Sequence, residues 1–277
     1  PRLVRESVVS RRLSVEQFLV DLRDRVVRLR HSVCIEEPPV RSSPALPVVG
    51  TPDRDISLPA HRVDVSYEAV LFDLDDTLYP YEPAATAGRD AAFRRAGALG
   101  YDFDRETFAA VYEDGRRAVK RQLAGVAATH DRFAYFERGL ARHTGDAQPA
   151  DAHALGTAYW DAFCEQMAPF AELRPTLDRL AATDTAVAVT TNMQTRVQLR
   201  KLAALGVGDA VDTVVTSETV GREKPGAAMV TLPLARLDCS PSEAVIVGDN
   251  PATDIASAAG LPLDSVLFDH THSHGDG

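Results

Sequence analysis

The apolar run at 69–72 constrains this chain more than any other segment, because it ends directly in acidic residues. A short apolar run bounded by turn residues is typical of a buried parallel strand. Asp73, Asp75 and Thr77 follow it, with Asp76 between them. Ligands of open α/β sheets bind beyond the carboxyl ends of the strands. The run therefore predicts a site in which one acid acts as a nucleophile and the other transfers a proton.

Three later segments carry polar side chains at or just after predicted strand ends. They are Thr191 and Asn192 after the strand at 186–190, Lys224 before Pro225, and Asp249 and Asp254 after the strand at 244–247. Together these segments offer carboxylate oxygens, a hydroxyl, a backbone amide and a fixed positive charge. That set suits a phosphoryl group held beside a hard cation.

The four segments resemble, in order and spacing, the four motifs of the haloacid-dehalogenase-like (HAD) superfamily of phosphohydrolases, over about residues 67–269. The first motif is most similar to the pyrimidine-nucleotidase-like and the sugar- or phosphoglycolate-phosphatase-like branches. The resemblance implies an α/β fold, with a three-layer Rossmann-like parallel sheet as core and an inserted all-helical cap. It also implies a cytoplasmic, Mg²⁺-dependent phosphatase that hydrolyses a small phosphomonoester, that is, a small phosphorylated metabolite.

The resemblance assigns a role to each motif residue. Asp73 is the expected nucleophile, which forms an aspartyl-phosphate, and Asp75 is the expected acid and base. Asp73, Asp249, Asp254 and the backbone carbonyl of Asp75 are the expected Mg²⁺ site. The remaining assignments are Thr191 and Lys224 as catalytic residues and Thr77 and Asn192 as substrate-binding residues. Outside the motifs, Arg132 lies at the start of a predicted cap helix and is expected to contact a second anionic group of the substrate.

Three alternatives stay open. Within the same fold they are a phosphomutase and a haloacid dehalogenase. Outside enzymes, the alternative is a catalytically silent binding or regulatory protein. Dehalogenases of the family typically lack the second acid of the first motif, so Asp75 favours phosphoryl transfer, and the intact motifs argue against a silent protein.

The predicted domain organisation follows the motifs. Residues 65–78 and 173–270 form the core and residues 79–172 the cap, in which helices are expected near 84–99, 104–124, 131–144 and 150–167. Residues 1–64 are expected to be a disordered extension, with one helical pattern near 14–30 and then a Pro-rich linker; a partner-binding helix is the other reading. Residues 271–277 form a tail. Pro233 is expected to interrupt the helix near 227–237.

The net charge and the spacing of the cysteines restrict the classes of binding partner and the cellular compartment that we expect. The net charge of −10 disfavours binding to nucleic acid or to anionic membranes. No apolar run reaches the roughly 18 residues that a membrane span needs. The three cysteines lie far apart, which argues against a disulfide framework and for a reducing cytoplasm. The oligomeric state stays open.

Overall fold

The computed structural model describes residues 67–269, so the predicted extension at 1–64 and the tail at 271–277 lie outside the described residues. Five strands form one parallel sheet in the order β3-β2-β1-β4-β5. Their bounds are Ala69–Phe72 for β1, Ala186–Thr191 for β2, Thr213–Thr216 for β3, Ala244–Gly248 for β4 and Asp264–Leu267 for β5. The predicted α/β fold class is confirmed.

Strand β1 occupies the centre of the sheet and is a buried parallel strand, as its apolar run predicts. Its four residues are all buried, and Ala69 pairs with Ala186 of β2 on one side and with Ala244 of β4 on the other. Because both faces of this strand are covered, its residues do not alternate between apolar and polar, which explains the continuous apolar run. Because the three strands are parallel and in register, the segments that follow them meet at one edge of the sheet.

Four helices connect the strands of the core. They are α5 (Leu173–Ala182), α6 (Thr195–Leu205), α7 (Ser217–Val220) and α8 (Ala228–Arg236). The expected interruption at Pro233 is wrong, because α8 continues through it. Proline has no N–H for the carbonyl four residues earlier, that of Met229. The buried hydroxyl of Thr190 donates to this carbonyl at 2.6 Å instead, so the missing helical bond is replaced from the sheet.

The inserted cap consists of four helices, near the predicted positions. They are α1 (Tyr81–Ala98), α2 (Arg105–Gln122), α3 (Arg132–Thr144) and α4 (Pro149–Gln166). Helix α3 begins after Asp131, whose carboxylate accepts hydrogen bonds from the amides of Phe133 and Ala134. Such an N-cap satisfies donors that the first helical turn leaves free. The helices bury an aromatic core that is continuous with the one on the near face of the sheet.

The cap contacts the core at several points around the strand edge. Glu223 of the core donates its amide to the carbonyl of Gly125 at 3.1 Å, and its carboxylate lies 2.7 Å from the His130 imidazole. On the other side Arg200 of α6 pairs with Asp161 of α4 at 2.6 Å. These contacts keep the cap directly above the strand ends. Within residues 67–269, none of the helices combines the length and apolarity needed to cross a bilayer.

Candidate active site

The end of β1 brings Asp73 into contact with Lys224. The backbone of Asp73 still donates to Val247 of β4 at 2.9 Å, so the carboxylate is carried by the rigid sheet. The buried ammonium of Lys224 lies 2.5 Å from Asp73 Oδ1 and 2.6 Å from Asp254 Oδ1. It also donates to the carbonyl of Thr190 at 2.9 Å. Burial alone would lower the pKa of Lys224, but Asp73 and then Asp254 raise it above its ordinary value, so the ammonium stays charged.

Hydrogen bonds to side chains and to the backbone of neighbouring segments fix the end of β2 and the loop that follows it. Asn192 Oδ1 accepts the backbone N–H of Lys224 at 2.8 Å, which couples the second motif to the third. Thr191 Oγ1 accepts from Gln198 at 2.6 Å. Ser217 Oγ accepts the N–H of Met193 at 2.9 Å. The hydroxyl of Thr191 is therefore held at the end of the strand, where a phosphoryl oxygen would need it.

Asp75 lies between a buried lysine and a buried tyrosine. The ammonium of Lys201 contacts its two carboxylate oxygens at 2.8 and 2.9 Å, and the hydroxyl of Tyr79 donates to Oδ1 at 2.7 Å. Burial alone would raise the pKa of Asp75, but the charge and hydrogen bonds of Lys201, with Tyr79, bring it below its ordinary value. Asp75 is therefore held ionised in one orientation, on the first turn after β1.

Three carboxylates, including that of Asp73, converge at the end of β1. One oxygen each from Asp73, Asp249 and Asp254 lie within 4.8 Å of one another. Burial raises the pKa of Asp73 although Lys224 opposes it, and Asp254 adds to the rise. Burial and then Asp254 raise the pKa of Asp249 to about 7. Carboxylates crowded in this way resist ionising together, and a hard divalent cation would relieve the repulsion with the oxygen ligands it prefers.

The backbone around the fourth motif makes room for this cluster. A Cβ on Gly248 would lie 2.3 Å from the carboxylate carbon of Asp254, so only glycine fits there. Asp254 is also held by the backbone N–H of Asn250, which donates to Asp254 Oδ2 at 3.0 Å. The motif segment itself forms one π-helical turn over Pro251–Ile255. Asp254 is buried within the carboxylate cluster.

A cavity of about 520 Å³ lies between the strand ends and the cap. The predicted site residues on its wall are Asp73, Asp75, Thr191, Asn192, Lys224, Asp249, Asp254 and Arg132. Thr77 is not among the lining residues; its hydroxyl is buried and has no hydrogen-bond partner within residues 67–269. The predicted residues, apart from Thr77, thus face one space of a size typical for a small-molecule site.

Arg132 lines the cap side of this cavity. It is 6% exposed, and its guanidinium donates to the hydroxyl of Tyr81 and, at 2.5 Å, to the carbonyl of His130. Its charge also lies over the ring of Tyr135, 5.1 Å from the centroid. Part of the Arg132 guanidinium is therefore already engaged in hydrogen bonds within the cap.

Lys201 and Gln198 contact the predicted site residues Asp75 and Thr191, and the motif pattern does not predict either contact. Both lie on the buried face of α6, and both are fully enclosed. Polar residues at core-facing helical positions are unusual, and Lys201 is one of three lysines in the chain. A lysine at a core-facing helical position, in a chain with only three lysines, is therefore the sequence signal that could have identified Lys201.

The chain matches known proteins along most of the described residues. The sequence profile of haloacid dehalogenase-like hydrolases matches residues 67–261. The ribulose-1,5-bisphosphate 5-phosphatase of Halopiger xanaduensis is 54% identical over 73% of this chain and 84% of its own length. The glyceraldehyde 3-phosphate phosphatase of Methanopyrus kandleri is 32% identical over 69% of this chain and 79% of its own.

A solved structure shares the fold. The HAD phosphatase of Thermococcus onnurineus superimposes with a TM-score of 0.57 at 21% identity, over 75% of this chain and 88% of its own. The family match over residues 67–261 spans the cap and strands β1 to β4. The chain belongs to the haloacid dehalogenase-like hydrolases, as one of their phosphatases.

Proposed function

We propose that this phosphatase hydrolyses a small phosphorylated sugar with Mg²⁺, through a covalent aspartyl-phosphate on Asp73. The carrying observation is the contact of Asp73 with Lys224 on the cavity floor, beside Asp249 and Asp254. A carboxylate on a rigid strand end, next to a buried cation and open to a cavity, is arranged as a nucleophile.

The first half-reaction uses two carboxyl groups in different roles. Asp75 is ionised in the free site and takes up a proton when the negatively charged phosphate ester binds beside it. Asp73 then attacks phosphorus, the bond from phosphorus to the ester oxygen breaks, and the leaving alkoxide takes that proton from Asp75. Lys224 and the hydroxyl of Thr191 stabilise charge on the phosphoryl oxygens. The pairing of Asp75 with Lys201 sets its orientation toward the leaving group.

The second half-reaction restores the enzyme. Asp75, now ionised, takes a proton from water, the water oxygen attacks phosphorus, and the bond to Asp73 breaks. Asp73, Asp249 and Asp254, with the backbone carbonyl of Asp75, would hold Mg²⁺, and the carboxylate cluster supports this choice of ligands. When bound, the cation offsets the repulsion between these carboxylates and the phosphate.

The substrate class follows from the relatives and from the cavity. The two relatives described above act on ribulose 1,5-bisphosphate and on glyceraldehyde 3-phosphate, both small sugar phosphates. A cavity of about 520 Å³ has room for such a molecule beneath the cap. Arg132 remains a proposed substrate contact, because it lines the cap wall although it is partly bonded to Tyr81 and His130.

The test is phosphate release from ribulose 1,5-bisphosphate, glyceraldehyde 3-phosphate and phosphoglycolate in the presence of Mg²⁺. We expect turnover of at least one ester and a phosphorylated peptide containing Asp73 after rapid acid quenching. Absence of phosphate release from the whole panel would contradict the proposal. An isomerised sugar phosphate as the main product would instead indicate a phosphomutase. Release of chloride from 2-chloropropionate would indicate a dehalogenase.

Arg132→Lys tests the cap contact on the same panel. The substitution keeps the charge but removes the planar fork. If Arg132 contacts the substrate beyond its phosphoryl group, kcat/KM should fall unevenly across the esters, with p-nitrophenyl phosphate least affected. An equal loss on every ester would remove Arg132 from the substrate contacts.

A further inference from the structure

The cap wall of the cavity carries two cations on one face of α2. Arg116 and Lys120 are four residues apart in this helix, so their side chains are neighbours on its surface. Both line the cavity whose floor carries Asp73 and Lys224. They are therefore positioned across the cavity from the group that would receive the reacting phosphate.

The cations of this wall differ in how far they are already paired. Arg89 is engaged by Glu82 and Thr86. Arg132 is buried and donates to Tyr81 and His130. Lys120, in contrast, forms no ion pair within residues 67–269, and its side chain is exposed to the cavity.

The charge around Lys120 favours an anion. Partial burial, and then repulsion by Arg116 and Arg132, lower the pKa of Lys120, while Glu223 and Glu113 oppose this. Arg116 is paired with Glu113 at 3.0 Å, which neutralises only one of the clustered charges. An anionic group at this point would therefore replace a repulsion between cations with attraction to both.

We propose that Arg116 and Lys120 form a second phosphate subsite, which binds the non-reacting phosphate of a sugar bisphosphate. The inference rests on the proposed function, since it assumes that the first phosphate reacts at Asp73. A bisphosphate would then span the cavity from the carboxylate floor to the cap wall. The cap would select substrates by the charge at the remote end, where the motif residues do not reach.

The test compares two substrates that differ only in the remote phosphate. Ribulose 1,5-bisphosphate carries it, and ribulose 5-phosphate does not. The variants are Arg116→Met and Lys120→Met, which remove the charge and keep most of the side-chain length. Arg117→Met is the matched control, because Arg117 lies on the same helix, is paired with Asp114 and does not line the cavity.

Each charge-assisted hydrogen bond lost should lower kcat/KM by about 10- to 100-fold. We expect that loss on the bisphosphate for both variants, less than about threefold change on the monophosphate, and no change on either ester for Arg117→Met. An equal loss on both esters, or no loss on the bisphosphate, would overturn the subsite. Wild-type protein that turns over the monophosphate as well as the bisphosphate would also overturn it while leaving the proposed function intact.

A binding measurement separates the subsite from catalysis. In an Asp73→Asn background, calorimetry with ribulose 1,5-bisphosphate reports affinity without turnover. Adding Lys120→Met should weaken binding by about 10-fold or more, and adding Arg117→Met should leave it unchanged. Equal affinities of the two double variants would overturn the subsite even if no ester in the panel were hydrolysed.

Discussion

The ammonium of Lys201 contacts both carboxylate oxygens of Asp75, at 2.8 and 2.9 Å, across 126 positions of sequence. Lys201 is fully buried, and the rings of Tyr81, Trp160 and Phe163 lie within 5.6 Å of its charge. An ammonium in such surroundings keeps its charge only through its anionic partner. The position and protonation of Asp75 thus depend on a core helix and on the cap.

Replacing Lys201 should impair catalysis through Asp75. In Lys201→Met the carboxylate loses its cation, so burial raises the pKa of Asp75 and its orientation depends on Tyr79 alone. We expect kcat to fall on the order of 10- to 100-fold, as for a misplaced general acid, with little change in KM. Steady-state kinetics on a monophosphate ester measures this.

A double-mutant cycle distinguishes that role from general damage. If Lys201 acts through Asp75, Lys201→Met should have little further effect in an Asp75→Asn background. Arg196→Met is the control, because Arg196 is an exposed cation on the same helix. Independent, additive losses in the cycle would show that Lys201 has a separate role.

Asp73→Asn should abolish turnover and leave the fold intact. The amide is nearly isosteric with the carboxylate but is a poor nucleophile, so kcat should fall on the order of 10³-fold or more. The melting temperature should change by only a few degrees. Asp178→Asn, on the exposed surface of α5, controls for loss of a carboxylate as such. Residual activity above a few per cent of wild type would assign the nucleophile elsewhere.

Removing divalent cations should stop the reaction. Asp73, Asp249 and Asp254 repel one another and the substrate unless a cation is present, so dialysis against EDTA should abolish phosphate release and added Mg²⁺ should restore it. Asp249→Asn should raise the Mg²⁺ concentration for half-maximal rate by about 10-fold or more. Glu243→Gln, at the other end of β4, should leave that concentration unchanged. Full activity in excess EDTA would contradict the metal assignment.

The sequence predicts most of the site because the motif residues follow strand ends. Once Ala69, Ala186 and Ala244 pair in register, the parallel sheet brings Asp73, Thr191 and Asp249 to one edge. Local pattern is enough for that step, since the alternation of strands and helices implies parallel strands, whose carboxyl ends share one edge of the sheet.

The contacts made by packed helices could not be predicted in the same way. Lys201 reaches Asp75 only because the face of α6 that carries it packs inward against the sheet. A lone lysine on a helix usually marks a solvent-exposed position. Pro233 shows the converse case, in which a local rule predicts an interruption and the Thr190 hydroxyl compensates from a distant strand. Both contacts depend on tertiary neighbours that no sequence window contains.

The cap should be destabilised by a single methyl group at Gly115. Helices α2 and α3 cross so closely there that a Cβ on Gly115 would lie 1.8 Å from the carbonyl oxygen of Tyr135. Because that atom belongs to the backbone, relief requires the two helices to separate. We expect Gly115→Ala to cost about 1–3 kcal/mol of unfolding free energy, the usual penalty for overpacking, measured by denaturant titration.

Gly97→Ala is the matched control for the same chemical change. Gly97 lies in α1, and a Cβ there would meet no atom within 4 Å. Alanine is favoured over glycine in a helix by up to about 1 kcal/mol, so this variant should be as stable as wild type or more so. Equal stability of the two variants would show that α2 and α3 do not approach this closely. Because the cap carries Arg116 on the same helix, we expect Gly115→Ala also to weaken turnover of ribulose 1,5-bisphosphate more than that of ribulose 5-phosphate.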